Sequence, residues 1–514
     1  MITGIPQAIN ADVAPQLKAV QQFLSGESPS INQRRVARSD DLSQDEVQWI
    51  AWWSPSTPVF VYPLMRAGVS IAASLRLLTL LCLAVGSVGW VLWAALFRLR
   101  PAVLLGLAVL LPFIHYALLP LFLFWTETFV WAAVPWTLLL TSRAGATGSR
   151  LHAVAAGLGL GSLYVLKYSA VFVTLGGVAY LFARGRGHRR FVAAAGATLP
   201  VLALTLLNHH YAGASNLITA SFHLNVNWHM ALFAIANPAL ALADAEAIWR
   251  YVFLHPSRPI FSSDLILGII GLPGGFWLIH LVRKSEGEDV PEALATTVLA
   301  SGMAGLALCW IISNGVSFEA RHIAGPSLAI LPLIIRRVDR QRSWLNLLMM
   351  AFFIILPLCY GVISFAGKTT WRRSARFHTG GSGYRPGPSG LYNPVLAEHD
   401  IRQVSSFLRR VFDPATDIWY FADPSASLDL PGRAIIHQAD FLDIQILRQH
   451  RYASRRPLRV LALLPWYFEV NGKGPVIRSS FPQVTAWQKI SISGSTCNLW
   501  IGGLEVAGLA PGSH

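Results

Sequence analysis

Five ionisable side chains stand inside long apolar runs or at their ends, and their chemistry needs an explanation: Glu127, Lys167, Arg321, His209 and His210. A carboxylate or ammonium group at membrane depth costs at least ~2.5 kcal/mol unless it is paired. Each group taken alone is explained by a side chain that snorkels to the interface, or by a local hydrogen bond between helices. Several such groups at one end of a helical bundle would instead form a shared polar site.

The composition indicates which elements must carry these residues. Of the 514 residues, 54% are hydrophobic and 13% are charged, whereas soluble proteins carry about 25% charged residues. Together with a mean hydropathy of +0.47, this excludes a disordered chain, disfavours a soluble multidomain enzyme and indicates a polytopic α-helical membrane protein. The net charge of +15 is explained first by cytoplasmic loops and second by anionic headgroups of the lipid bilayer. No nucleic-acid partner is expected, because no folded basic domain stands apart from the apolar runs.

Apolar runs follow one another from Leu75 to about Ala366 and predict a mainly α fold, a polytopic transmembrane helical bundle of about ten spans. Several runs are shorter than the ~20 residues that a bilayer-crossing helix needs, so their ends can shift. The predicted spans are 75–97, 101–119, 120–141, 152–166, 168–183, 191–208, 263–283, 295–314, 323–336 and 344–366.

Basic residues fall in every second connection between these spans, and the other connections are nearly free of Lys and Arg until the 209–262 loop. The positive-inside rule makes the basic connections cytoplasmic. Residues 1–74, the 209–262 loop and the tail are therefore expected on the extracytoplasmic side, where all five ionisable groups also reach the surface. The basic connections contain Arg98 and Arg100, Arg143 and Arg150, Arg184 to Arg190, Arg283 and Lys284, and Arg336 to Arg342.

The C-terminal tail, from residue 367 onward, differs from the bundle in composition and in predicted secondary structure. Its charge density is higher, and strands are predicted at 416–423, 433–438 and 459–465, with amphipathic helices at 397–412 and 439–452. Alternating strands and helices indicate a small extracytoplasmic α/β domain. The chain is thus divided into a first extracytoplasmic segment (1–74), the bundle (75–366) and a soluble α/β domain (367–514).

An amphipathic helix is predicted directly after Asp12, because one face at helical spacing carries Val13, Leu17, Val20 and Leu24. We expect its narrow apolar face to lie on the outer membrane surface. From the spacing alone, Asp12 is most simply the N-cap that accepts hydrogen bonds from the first backbone N–H groups.

Other polar features leave alternatives open. Asp40 and Asp41 could hold a divalent cation, the only cofactor that the sequence suggests, although a solvated acidic turn explains the pair more simply. The 209–262 loop combines histidines without zinc spacing and many aromatic residues. It would form either a lid over an acceptor or an interfacial aromatic belt. The four cysteines show neither disulfide nor metal spacing.

The order of several degenerate motifs over residues 9–366 resembles the GT-C superfamily of membrane glycosyltransferases. It is most similar to the bacterial family 39-like group, related to protein O-mannosyltransferases and the lipid A aminoarabinose transferase. An acidic residue precedes an amphipathic helix, and the motifs that follow are "WWSPSTPVFVYP" (52–63), "TET" (126–128), "GLGLGSLYVLKYSAVF" (157–172) and "FEARHIAGPSLAILPLI" (318–334).

The resemblance implies a transferase that uses a polyprenyl-phosphate sugar on the extracytoplasmic face of the bacterial inner membrane. The position of the family's catalytic base matches Asp12, and the positions that meet the donor phosphate match Lys167 and Arg321. Glu127 matches an acidic residue with a structural or donor-orienting role, and His322 stands where the family has Tyr. Such an enzyme would transfer the sugar with inversion, because a base removes the acceptor's proton on the face opposite the leaving phosphate. The acceptor would be a cell-envelope glycan, lipid or protein.

This sequence departs from the family in two ways. Family members have a transmembrane helix before the catalytic Asp, and none is present here; a start codon placed too late, or a tolerated loss, would explain this. The paired acidic motif of some relatives is reduced to Asp12 followed by Val13. The alternative functions are a non-catalytic transporter or assembly factor for lipid-linked glycans, which should carry polar residues at mid-membrane, and a sensor, which should carry cytoplasmic signalling parts.

Overall fold

The computed structural model describes residues 7–184, 189–212, 228–245, 247–248, 264–283, 289–312, 319–341, 343–377, 389–393, 396, 401–437, 439 and 442–504. Within these ranges the protein is a helical bundle with a small α/β domain at one end, as the sequence predicts. The N-terminal segment lies between the two parts.

The N-terminal segment contains short elements that pair with distant parts of the chain. Strand β1 forms a parallel pair with β4, which lies much later in the sequence, and β2 and β3 form an antiparallel hairpin. The elements are β1 (Ala8–Ile9), α1 (Ala14–Leu24), β2 (Gln33–Ala37), β3 (Asp45–Trp49) and α2 (Ser56–Arg66).

The apolar face of α1 is buried in the protein. Val13 and Leu17 are fully buried and belong to a cluster with Phe124 of the bundle end and Leu428 of the α/β domain. Lys18 Nζ donates a hydrogen bond to the Ser427 carbonyl at 2.8 Å. The prediction that this face lies on the membrane surface is therefore wrong, because its apolar residues pack against other parts of the chain.

Helices occupy all ten predicted spans, although their ends differ. Among the described residues, five helices are long and apolar enough to cross a membrane: α3, α9, α11, α12 and α14. The bundle consists of α3 (Ile71–Ala95), α4 (Pro101–Leu110), α5 (His115–Leu118), β4 (Leu123–Phe124), α6 (Glu127–Thr147), α7 (Arg150–Leu166), α8 (Val171–Arg184), α9 (Arg189–Ala212), α10 (Trp228–Ala243), α11 (Asp264–Arg283), α12 (Val290–Ile312), α13 (Ala324–Gln341) and α14 (Trp344–Phe377).

Small residues let neighbouring helices of the bundle approach closely. Gly157 and Gly161 of α7 face the backbone carbonyls of Ala193 and Ala197 of α9, and a side chain at either glycine would collide with them. Gly176 of α8 faces the backbone of α12 in the same way. Small residues at such spacing are the usual means of tight helix packing in membranes, where lipid offers no hydrophobic drive between helices.

One helix of the bundle lies inside the predicted 209–262 loop. In α10, Ala236 and Asn237 are fully buried, so residues 233–243 are part of the bundle interior and not an outer lid or a surface belt. Phe233 faces Gly268 and Ala239 faces Gly274, which shows that α10 and α11 run in the same direction. The remainder of the loop, including His223 and His255, lies largely outside the described residues.

The C-terminal domain is a five-stranded mixed sheet in the order β6-β5-β7-β9-β8. Strands β6, β5 and β7 are parallel, whereas β7, β9 and β8 are antiparallel. Its elements are α15 (Ile401–Val411), β5 (Asp417–Phe421), β6 (Ala434–Ile436), α16 (Ile444–Leu447), β7 (Leu458–Pro465), α17 (Tyr467–Val470), α18 (Lys473–Ser479), β8 (Val484–Ser491) and β9 (Cys497–Leu504).

The predicted strands of this domain and its first helix are present, but the helix predicted over 439–452 is wrong. Among the described residues of this stretch, 439 and 442–452, the α-helical part is the single turn α16. Leu447 and Tyr452 are both buried and pack on one face of the sheet, so a turn and a loop satisfy the apolar pattern that suggested a longer helix. Helix α14 also continues through the boundary drawn at residue 367.

Contacts between the N-terminal segment and the C-terminal domain cover one end of the bundle, which we call the capped end. Arg433 Nε donates to Asp45 Oδ1 at 2.8 Å and Arg433 Nη2 donates to the Leu42 carbonyl at 2.6 Å. The Leu42 amide donates to the Ala453 carbonyl at 2.7 Å. The hairpin is therefore fixed to the domain by both backbone and charged hydrogen bonds.

Candidate active site

Asp12 lies in the turn between β1 and α1 at the capped end. The pairing of Ile9 with Phe124 sets the direction of the chain, and the Asp12 amide donates to Asn10 Oδ1 at 2.9 Å. The N-cap of α1 is Val13, with no side-chain cap hydrogen bond. The N-cap interpretation of Asp12 is thus wrong, and its carboxylate is 23% exposed.

Glu127 is the first residue of α6 and follows β4, the partner strand of β1. Its side chain is 9% exposed. Helix N-termini favour a carboxylate in their first turn because of the unpaired N–H groups and the helix dipole. The short parallel ladder brings this buried carboxylate close to the turn that contains Asp12.

Lys167 supplies the first cation of the site. Helix α7 ends at Leu166, and the Lys167 backbone is extended (φ −160°, ψ 131°), which interrupts the hairpin of α7 and α8. Its Nζ lies 2.8 Å from Glu127 Oε1 and donates a hydrogen bond to Thr126 Oγ1 at 2.9 Å. An ammonium group has three donors, so one N–H remains beyond these two contacts.

Arg321 links the two carboxylates. It lies in a 3-10 turn, Ala320–Ile323, just before α13. Its Nη1 is 3.4 Å from Glu127 Oε1 and 3.9 Å from Asp12 Oδ2, and its Nε pairs with Glu319. We call Asp12, Glu127, Lys167, Glu319 and Arg321 the ionic cluster.

The ionic cluster holds three carboxylates and two cations, each at most 23% exposed. Removing one charge from water at such depth costs several kcal/mol, which the opposite charges offset only when the contacts are close. The cluster is therefore a polar site built into an otherwise apolar bundle end. Glu319 was not singled out in the sequence, because an acidic residue in a short connection is ordinary; its position two residues before Arg321 was the available signal.

His322 lies partly buried beside the ionic cluster. Burial lowers the pKa of its imidazole to about 4, and the neighbouring Arg321 charge acts in the same direction. Its backbone amide donates to the Glu319 carbonyl at 3.1 Å. At neutral pH this imidazole is uncharged and adds no cation to the site.

His209 and His210 are not brought into the ionic cluster. Both are exposed in the last turn of α9, and the His210 ring packs edge-on against Tyr211 at 4.8 Å. In the described part of the chain, no hydrogen bond or ion pair joins either one to the cluster.

Asp40 and Asp41 lie in the turn of the hairpin, where protein groups already bind them. Arg38 Nη2 is 2.6 Å from Asp40 Oδ2, and Asp41 Oδ1 accepts hydrogen bonds from Ser43 Oγ at 2.6 Å and the Arg455 amide at 3.1 Å. Across the described ranges, no group of three His, Cys, Asp or Glu side chains could hold a metal ion.

Comparisons with known proteins give structural neighbours alone. No family model matches the sequence, and a search of curated proteins finds no significant match. The structure is similar to the crystal structure of ArnT from Cupriavidus metallidurans in the apo state, with 12% identity, a TM-score of 0.46 and coverage of 99% of this chain and 96% of that one. The crystal structure of the same protein bound to undecaprenyl phosphate matches with 10% identity, a TM-score of 0.41 and the same coverage.

ArnT is a lipid A aminoarabinose transferase of the GT-C superfamily, the group that the sequence motifs resemble. Because neither TM-score reaches 0.5, the function proposed below rests on the geometry of the ionic cluster and on those motifs.

Proposed function

We propose that this protein is an integral membrane glycosyltransferase that moves a sugar from a polyprenyl-phosphate carrier to an acceptor in the cell envelope. The capped end would face the extracytoplasmic side of the bacterial inner membrane. The observation that carries this proposal is the continuous contact from Asp12 through Arg321 and Glu127 to Lys167. A carboxylate able to take a proton and two cations able to bind a phosphate stand within one cluster.

The roles follow from the chemistry of each group. The acceptor hydroxyl oxygen attacks C1 of the sugar, its proton passes to the Asp12 carboxylate, and the bond between C1 and the phosphate oxygen breaks. Negative charge grows on the leaving phosphate, where Lys167 and Arg321 would stabilise it. The attack comes from the face opposite the phosphate, so the anomeric centre is inverted.

Glu127 is assigned a different role from Asp12. It is the more deeply buried carboxylate, and its Oε1 faces both cations, so it orients them instead of taking the acceptor's proton. His322, which is neutral and partly buried, would lie beside Arg321 without adding a charge. His209 and His210 would support the site only from the neighbouring surface of α9.

An apolar cavity in the bundle supports a lipid-linked donor. It is lined by Leu107 and Leu111 near α4, Leu328 and Leu331 of α13, and Phe353 of α14. At 1.5 Å per residue, Leu328 lies roughly 7 Å along α13 from the end of the turn that contains Arg321. A carrier with its phosphate at the ionic cluster could therefore direct apolar chain toward this cavity.

The test is a transfer assay with the full-length protein in lipid nanodiscs. Polyprenyl-phosphate sugars with a radiolabelled hexose or pentose are the donors, and an envelope fraction from a deletion strain supplies the acceptor. We expect label in the acceptor fraction and release of polyprenyl phosphate, with both lost in Arg321→Met. Movement of labelled donor across a vesicle bilayer without release of polyprenyl phosphate would instead identify a transporter and overturn the proposal.

A further inference from the structure

The non-helical backbone at Lys167, between α7 and α8, is bound by residues 51–54, the segment that follows the β2–β3 hairpin. Ser54 Oγ donates a hydrogen bond to the Leu166 carbonyl at 2.6 Å. The Tyr168 hydroxyl lies 3.0 Å from the Ala51 carbonyl and 3.3 Å from the Trp53 carbonyl, to which it donates. The residues on both sides of Lys167 are therefore bound to one segment, residues 51–54.

Asn208 of α9 extends this contact. Its Nδ2 donates to the Tyr168 hydroxyl oxygen at 2.9 Å, and its Oδ1 accepts from Trp49 Nε1 at 2.9 Å. Asn208 is buried, and both ends of its amide are used, which fixes the amide orientation. Trp49 also stacks on Tyr211 with ring centroids 4.5 Å apart.

The donors and acceptors of this network form one continuous chain. Trp49 donates to Asn208, Asn208 donates to Tyr168, and Tyr168 donates back to the carbonyls of the segment that follows Trp49. Such chains strengthen each bond by polarisation, and a missing member leaves a buried polar atom without its partner. None of the three side chains belongs to the ionic cluster.

We infer that Tyr168, Asn208 and Trp49 are positioning residues that aim Lys167 at the donor phosphate, an inference that rests on the proposed function. Lys167 has an extended backbone and Tyr168 begins the 3-10 turn Tyr168–Ala170, so the bonds to the Leu166 carbonyl and the Tyr168 hydroxyl fix the backbone on both sides of Lys167. With Tyr168 fixed toward the network, Lys167 is directed toward Glu127 and Thr126. A lysine side chain otherwise has many accessible rotamers, and a fixed backbone reduces the number of directions it can take.

The same network gives the C-terminal domain a role in the site. Trp49 is the last residue of β3, and the hairpin is fixed to the domain through Asp45 and Arg433. The C-terminal domain therefore fixes the β2–β3 hairpin, which contains Trp49. The hydrogen bonds from Trp49 through Asn208 to Tyr168 then fix the backbone next to Lys167.

The experiment measures binding of polyprenyl phosphate to the full-length protein in nanodiscs. Tyr168→Phe keeps the ring and removes the hydroxyl, so we expect the Kd to rise about tenfold, the loss that one hydrogen bond of this kind gives. Trp49→Phe keeps an aromatic ring against Tyr211 and removes the N–H, and its Kd should rise in the same direction. Tyr164→Phe is the matched control, because that ring packs on Tyr168 at 5.1 Å and its loss of a hydroxyl should leave the Kd unchanged.

A double-mutant cycle separates positioning from a general structural effect. In the Lys167→Met background, Tyr168→Phe should change the Kd by less than twofold, because the group that it positions is gone. A Tyr168→Phe variant that binds like the wild type, or that loses the same factor with and without Lys167, would overturn the inference. If Lys167→Met itself binds polyprenyl phosphate as tightly as the wild type, the phosphate role of Lys167 in the proposed function is wrong, and the inference is overturned with it.

Discussion

Asp12 and Glu127 both lie beside the Arg321 guanidinium because they follow the paired strands β1 and β4 by the same number of residues. Ile9 pairs with Phe124, and each carboxylate comes three residues after its paired position. Arg321 Nη1 lies 3.9 Å from Asp12 and 3.4 Å from Glu127. The two carboxylates differ in exposure, 23% for Asp12 against 9% for Glu127, so Asp12 is the more open to solvent, as the proposed base must be.

Asp12→Asn should abolish sugar transfer. The amide keeps the size of the side chain but cannot take the acceptor's proton, and loss of a general base costs about 10²–10⁴ in rate. The measurement is the transfer assay in nanodiscs, with polyprenyl phosphate binding measured in parallel and expected to be retained. Asp40→Asn is the control, because that carboxylate pairs with Arg38 at the hairpin turn. Transfer at the wild-type rate in Asp12→Asn would contradict the assignment of the base.

Glu127→Gln should destabilise the protein. Lys167 and Arg321 both lie within 3.4 Å of one Glu127 oxygen, and removal of the negative charge leaves two buried cations without their common partner. Breaking a buried pair in this way costs about 3 kcal/mol or more. The thermal unfolding midpoint in detergent is the measurement, and Glu27→Gln, at an exposed loop position, is the control. Equal midpoints for Glu127→Gln and the wild type would show that the cations find other partners.

The C-terminal domain should lose stability at acid pH. Burial lowers the pKa of His437 to about 4, and His450 and the Arg34 charge add to the effect; Tyr420 and Tyr452 pack around the same ring. Above the usual pKa near 6.5, both folded and unfolded states are neutral and the group contributes nothing. As the pH falls from 6.5 to 4, only the unfolded state takes up the proton, so the free energy of unfolding falls by up to about 3 kcal/mol.

This dependence is measured as the unfolding midpoint at several pH values between 7.5 and 4.5. His437→Phe should flatten the curve, whereas His210→Phe, at an exposed position of α9, should leave it as in the wild type. A His437→Phe curve with the wild-type slope would mean that other groups are responsible.

The two ends of the bundle should differ in accessibility to a membrane-impermeant maleimide. Ser25→Cys lies at an exposed position of the capped end, after α1, and Ala146→Cys lies exposed near the end of α6. In a background with the four native cysteines replaced by Ser, Ser25→Cys should react from outside the inner membrane. Ala146→Cys should react only after permeabilisation. The reverse pattern would place the ionic cluster on the cytoplasmic side and contradict the proposed donor chemistry.

Glu127, Lys167 and Arg321 could be predicted from the sequence because charge is conspicuous in an apolar chain, whereas Asp12 was indicated only by the family resemblance and Glu319 was not predicted. Lys167 interrupts a long apolar stretch, and Glu127 lies within another, so both require an explanation from composition alone. The alternation of basic connections then placed them at one end. The ion pairs between these groups could not be predicted from the sequence, because nothing in it indicates whether Arg321 contacts Asp12, Glu127 or neither.

The surroundings of α1, α10 and residues 439–452 could not be predicted, because an apolar pattern indicates that a face is buried but not whether protein or lipid covers it. The spacing in α1 predicted one apolar face, and in the structure Leu17 packs against protein and not lipid. Helix α10 (Trp228–Ala243) lies within the connection drawn at 209–262, and its apolar pattern does not distinguish a helix of the bundle from a lid or an interfacial belt. In residues 439–452, Leu447 and Tyr452 are buried at a spacing that either a helix or a turn with a loop can provide.

The contacts of Arg433 have a consequence for the order in which the molecule can be completed. Arg433 binds Leu42 and Asp45, which precede it by 391 and 388 positions. A nascent chain that ends before Arg433 already contains every residue of the ionic cluster but lacks the group that fastens the hairpin. The hairpin therefore gains these contacts only after residue 433 has been synthesised, and chains that end before it would keep the helices of the bundle but lack the bonds that fasten the hairpin to the domain.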